Sequence, residues 1–218
     1  CTILLTACGV SKSSFSPARK FAPDQLQKDY DLYRAILEHH HPSLYWYTSK
    51  DSIDYYFDVG RRQLSDSMTE PQFRKLLSFV TAKINCGHTT VRSSKAWSKY
   101  SDTVRVGKMF PLSMKLWNDT MLVTANLNRK DSILRRGTMI TKLNGKTVAE
   151  LTDTMFQYLS ADGYNRTHKY QSLSNRGYFG SLYTTIYGPK EKYELEYLDT
   201  TGTAKTITIP VYNPAADT

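Results

Sequence analysis

The 218-residue sequence contains only three cysteines, Cys1, Cys8 and Cys86, too few for a disulfide framework, so stability has to come from a packed core. It lacks any apolar run near the ~20 residues needed to cross a bilayer as a helix. No segment repeats internally. Acidic residues are in deficit, 20 against 29 lysines and arginines, giving a formal charge of +9. The basic pairs Arg19-Lys20, Arg61-Arg62, Arg129-Lys130 and Arg135-Arg136 are scattered among acids. No basic stripe interleaved with aromatics forms, which argues against a nucleic-acid groove and for a solvated basic face. What is present is core material: 40% hydrophobic residues and 12% aromatics, with 16 tyrosines. That excludes wholesale disorder and suits one or two domains.

The N-terminus reads as the tail of an export signal. Thr2 to Gly9 resembles the end of a secretory apolar region running into a bacterial lipobox, Leu5-Thr6-Ala7-Cys8. Small residues before Cys8 suit a signal peptidase, and its thiol would carry the lipid. The chain opens on Cys1 and its apolar run is short for a whole signal, so the expected start lies upstream. An ordinary apolar strand is the alternative. Gly9 to Pro17 then forms a flexible tether. On this reading the protein is an exported lipoprotein of the bacterial cell envelope, periplasmic or attached to the outer membrane, with Cys86 its single remaining thiol.

From Phe21 to Ile84 the spacing predicts helices. Leu26, Tyr30, Tyr33 and Leu37 share one face after Pro23-Asp24, and Pro42 ends that helix. A second opens at Ser49 with Ile53, Phe57 and Leu64. The third starts at Thr69, with Gln72 completing a capping box, and carries Phe73, Leu76, Leu77, Val80 and Ile84. Three amphipathic helices suggest a small bundle. Beyond His88 the pattern turns to strands: Met109–Trp117, an Asn118-Asp119 turn, then Thr120–Ala125. Asn144-Gly145 is a strong hairpin signal, because both central residues need positive φ. Leu151–Leu159 is helical, whereas Tyr178–Tyr187, Lys192–Leu198 and Lys205–Val211 are predicted as strands. The fold class is α+β. The expected divisions are a tether at 1–20, a helical domain at 21–108, a β-rich domain at 109–212 and a linker at 213–218.

Two motifs carry chemistry. One is Asn85-Cys86-Gly87-His88-Thr89-Thr90; the other is Leu134 to Val148, containing Arg136-Gly137-Thr138-Met139-Ile140 and Asn144-Gly145. The second resembles the glycine, hydrophobic pair, Asn-Gly, valine segment of PDZ domains. A Gly-His-Thr upstream of a PDZ-like module resembles the S41 family of serine peptidases, the tricorn-core and C-terminal-processing enzymes. His41-Pro42-Ser43-Leu44-Tyr45 and Asp162-Gly163-Tyr164-Asn165-Arg166-Thr167 also resemble stretches of that family.

The resemblance implies a helical N-terminal part, a PDZ-like β-rich domain with an inserted helix around Ser160–Arg176, and a catalytic serine domain that this chain does not reach. His88 would be the general base for a serine beyond Thr218, since imidazole titrates near neutrality. Thr89-Thr90-Val91 would continue as a strand fixing the ring. Tricorn-core enzymes place a helper serine before the histidine; Gly87 stands there instead, so that role does not carry over. The PDZ-like part would hold an extended peptide by strand addition, with Phe110, Pro111 and Leu112 along the peptide-facing strand. Thr138 replaces the aspartate usual after the glycine, which alters local capping. No metal or organic cofactor is implied, and the partners are a peptide or protein substrate and the membrane, with no nucleic acid.

The competing residue-level readings are plainer. Cys86 and His88, two apart on a strand, would point in parallel, so Cys86 reads as a small buried hydrophobe. Consecutive His39-His40-His41 splay by about 100° each and cannot converge on one metal; cations at a helix C-terminus account for them. The rival function is a lipid-anchored peptide-binding protein without catalysis.

Overall fold

A computed structural model of the chain describes residues 15–103 and 107–216. The lipobox and its Cys8 lie outside the described residues. The helical half begins with a short strand β1 (Lys20–Phe21) and helix α1 (Pro23–His40). Helix α2 (Lys50–Arg62), strand β2 (Met68–Thr69) and helix α3 (Glu70–Ala82) follow, then α4 (Lys95–Thr103). The ends are set chemically. Pro23 occupies the first turn of α1 where its missing N–H costs nothing, and the Ser49 hydroxyl caps α2. The Thr69 N–H donates to Gln72 Oε1 at 2.9 Å, closing the predicted capping box. Leu26, Tyr30, Ile53, Phe57, Leu64, Leu76, Val80 and Ile84 form one buried core. The Tyr30 hydroxyl is satisfied inside it, donating to Phe57 O at 2.8 Å.

The second half is β-rich. β3 (Leu112–Trp117) and β4 (Thr120–Asn126) make an antiparallel hairpin about Asn118, whose φ is 50°. β5 (Ile140–Leu143), β6 (Lys146–Thr147), β7 (Lys192–Leu198) and β8 (Ala204–Pro210) form an antiparallel sheet in the order β6-β5-β7-β8. Asn144 and Gly145 turn between β5 and β6 with φ of 48° and 76°, the tight turn expected of Asn-Gly. The Asn144 side chain ties the turn down, accepting from Glu194 N at 2.8 Å and donating to the Tyr183 hydroxyl at 2.7 Å. Helices α5 (Val148–Phe156), α6 (Arg166–Leu173) and α7 (Tyr178–Tyr187) pack on these strands. A second core runs from Phe110 to Ile209. Seven helices and antiparallel sheets among the described residues make an α+β fold, as the sequence predicts.

One predicted strand is a helix. Tyr178–Tyr187 forms α7, flanked by Gly177 and Gly188 at φ of 75° and 80°. Its aromatic and β-branched content favours a strand on composition, but Phe179, Leu182, Tyr183 and Ile186 face the core at three- and four-residue spacing.

The two halves touch through named contacts. Lys75 Nζ on α3 donates to Ile186 O on α7 at 2.8 Å, and the Phe79 and Tyr158 rings lie 5.9 Å apart. Lys83 donates to Gln157 Oε1 just past α5. A fourth contact, between residues 85–89 and 160–163, builds the candidate site.

Candidate functional site: the His88 loop and its braces

After α3 the chain must leave the helical core quickly. Ile84 is fully buried, and Asn85 reverses direction at φ 57°, a conformation its short polar side chain tolerates. Asn85 Nδ2 donates to Thr48 Oγ1 at 3.1 Å, and that hydroxyl donates to Lys83 O at 2.6 Å. Cys86 is half-buried against the helical core, as expected of a small hydrophobe. Cys86 O accepts from Thr89 N at 3.1 Å, closing a turn with Gly87 and His88 at its tip.

Braces reach this turn from both halves. Asp162 Oδ1 accepts from Gly87 N at 2.7 Å, and Gly163 N donates to Asn85 O at 2.8 Å. The Ser160 hydroxyl donates to Thr89 O at 2.9 Å. Gly87 eases this closeness: a Cβ there would stand 3.2 Å from Asp162 Oδ1 and 3.3 Å from its backbone nitrogen, so Asp162 would have to give by a few tenths of an ångström. From the helical half, His41 holds Thr89. Its Nδ1 accepts from Ser43 N at 3.2 Å, which leaves the proton on Nε2 to donate to Thr89 Oγ1 at 2.7 Å. Burial pushes the His41 pKa down, favouring this neutral ring.

The His88 side chain itself is 91% exposed. Its Nε2 lies 4.0 Å from Asp162 Oδ2, on a carboxylate that is 58% exposed. That is beyond hydrogen-bond range, so the two groups are neighbours without a hydrogen bond between them. An exposed imidazole with a carboxylate beside it can accept a proton from a hydroxyl presented from solvent.

The remaining predicted residues fall as follows. Thr89, Thr90 and Val91 are irregular rather than a strand; the Thr89 backbone bonds Cys86 O and the Ser160 hydroxyl and not a neighbouring strand. Phe110 and Leu112 are 5% and 1% exposed. Phe110 packs edge-on to Tyr193 at 4.8 Å, so most of each of these two side chains is spent in the core and only a small part is left for a ligand. With buried Pro111 they contribute to the lining of a cleft of about 1400 Å³ between the two halves. His39 and His40 lie on the last turn of α1, while the His41 ring is committed to Thr89.

Sequence reasoning did not find Asp162 as a neighbour of His88, nor His41 as a brace; only motif likeness singled out their stretches. It also missed Lys83, whose pKa is pushed down to about 8 by burial and by Lys169. The Lys83 ammonium sits 4.4 Å from the Phe79 ring centroid, where the halves meet.

No family model matches the chain. No curated protein matches it either. Among solved structures, the fold is similar to that of CPAF, a chlamydial serine protease of the tail-specific protease family. A point mutant of CPAF aligns over 88% of this chain at a TM-score of 0.56 and 12% identity. Mature CPAF complexed with lactacystin aligns over 87% at 0.57 and 11%, and mature CPAF alone over 87% at 0.52 and 12%. The chain spans about a third of those proteins, 34%, 35% and 34% of their lengths respectively. At such identities the likeness is one of fold.

Proposed function

We propose that this chain is the histidine-bearing front part of a bacterial envelope serine endopeptidase of the S41 type. His88 acts as general base toward a serine outside these 218 residues, and the region 109–212 is a PDZ-like module that holds the substrate peptide. Residues 1–20 serve as signal remnant and tether, anchored to the membrane through lipid on Cys8, and 213–218 lead toward the catalytic domain. The observation that carries this reading is the His88 imidazole, 91% exposed on a turn braced from both halves of the chain. Fold likeness to a serine protease supports a peptidase-related role. The chemistry asked of His88 is proton transfer, worth about 10²–10⁴-fold in rate.

The test is a full-length protein assayed on peptide substrates. His88→Ala should lower kcat by at least about 10²-fold with an unchanged melting curve. Turnover that survives the change removes His88 from the mechanism. The cleft between the halves favours a second reading, a lipid-anchored peptide-binding protein without catalysis. In that case the parent protein binds peptides but hydrolyses none.

A further inference from the structure

We propose that the cleft between the two halves docks an extended acidic polypeptide segment. Its volume of about 1400 Å³ exceeds the ~300–1,000 Å³ of small-molecule pockets, and leaves room for several residues of extended chain. Its charge is one-sided. Lys20, Arg74, Lys75, Lys108 and Arg176 line it, and none of the chain's 20 acidic residues is among its described lining. Among the described residues only Lys108 of these has a carboxylate partner, Glu191 at 2.5 Å, itself an exposed pair. Lys75 bonds a backbone carbonyl, and Arg74 lies over the Trp97 ring at 5.5 Å while donating to the Ser93 hydroxyl. Lys20 and Arg176 are exposed and have no acidic partner among the described residues. Such cations raise the local concentration of an anionic ligand and fix its register.

Chemistry separates a peptide from a nucleic acid here. Single strands bind by stacking successive bases on free aromatic faces. In this cleft Phe110 and Tyr187 pack against Tyr193 and Tyr183, at 4.8 and 4.7 Å, and Trp97 is met by Arg74 and by the Phe15 edge. The apolar surface that remains suits leucine-like side chains between carboxylates. The inference rests on the peptide-holding part of the proposed function and names its ligand class; it does not require His88.

The experiment is fluorescence anisotropy of the 218-residue chain with a labelled peptide alternating glutamate and leucine. Binding is expected, weakening with added salt, and falling about tenfold or more when glutamine replaces glutamate. The double variant Lys20→Glu/Arg176→Glu should cost about tenfold as well. Each single variant, at an exposed site, keeps the test valid should the pair perturb folding, and is expected to lose part of that affinity. Equal binding of the glutamine peptide, unchanged affinity in the charge variants, or tighter binding of oligothymidylate overturns the proposal. Absence of peptide binding alongside His88-dependent turnover in the full-length protein sinks this inference alone. Binding without such turnover sinks only the catalytic reading.

Discussion

The Asp162 carboxylate lies 2.7 Å from the Gly87 N–H through one oxygen and 4.0 Å from His88 Nε2 through the other. The first contact sets the backbone of the turn; the second only places a carboxylate near the exposed ring. Asp162→Ala removes a charge-assisted acceptor at a half-exposed site, where water replaces part of the bond, so stability should fall by only about 1 kcal/mol. Asp162→Asn keeps an oxygen in place and should restore most of it. Amide exchange at Gly87 and Thr89 should therefore quicken in the alanine variant and not in the asparagine one. Identical protection in all three would show that Asp162 does not brace the turn. Of this arrangement, sequence made His88 and Cys86 legible, because residue type and local spacing suffice for them. Asp162 was not legible as a partner: it stands 75 residues away, and only tertiary packing brings the two turns together.

Among the elements, α7 is where local signals and packing disagree most. Gly180 on α7 presses against Phe110: an added Cβ would stand 2.5 Å from the Phe110 Cβ. Gly180→Ala gains about 1 kcal/mol of helix propensity, but overpacking costs about 1–3 kcal/mol. The clash should win, lowering Tm by a few degrees, about 2–4 °C per kcal/mol of net loss in a chain of this size. A Tm at or above the parent value would mean that Phe110 yields without cost. The same element explains what was hard to read. α1, α2 and α3 announce themselves by leucine and phenylalanine at three- and four-residue spacing, framed by Pro23, Ser49 and the Thr69–Gln72 box. In α7, Tyr, Thr and Ile prefer strands intrinsically, and burial on one face overrides that preference. Thr89–Val91 fails the other way: β-branched residues sit in an irregular segment where Thr89 bonds the preceding turn and the Ser160 hydroxyl.

At the scale of the whole molecule, two cores meet through a thin set of polar and aromatic contacts, with Lys83 among them. Burial and Lys169 hold Lys83 at about 8, against the usual value of 10.5. The folded chain therefore binds fewer protons than the unfolded one between pH about 8 and 10.5. Stability contributed here rises with pH across that window, and the penalty is complete below it. Lys83→Met should flatten this slope, read as a smaller difference between urea midpoints at pH of about 7.5 and 10. An undiminished difference would place the titration elsewhere. The +9 charge spread over the chain says little of this in sequence, because the depression at Lys83 comes from neighbours that only the assembled halves supply.

The brace on Gly87 has a consequence in time. Ribosomes release a chain from its N-terminus at ~5–20 residues per second, so Asp162 emerges on the order of 4–15 s after the turn it grips. During that interval the three-helix core can already have condensed while the histidine tip is braced from the helical side alone, through His41 and Thr89. A lesion that stops the later sheet from forming would thus leave a well-folded front end whose histidine turn keeps one of its two supports.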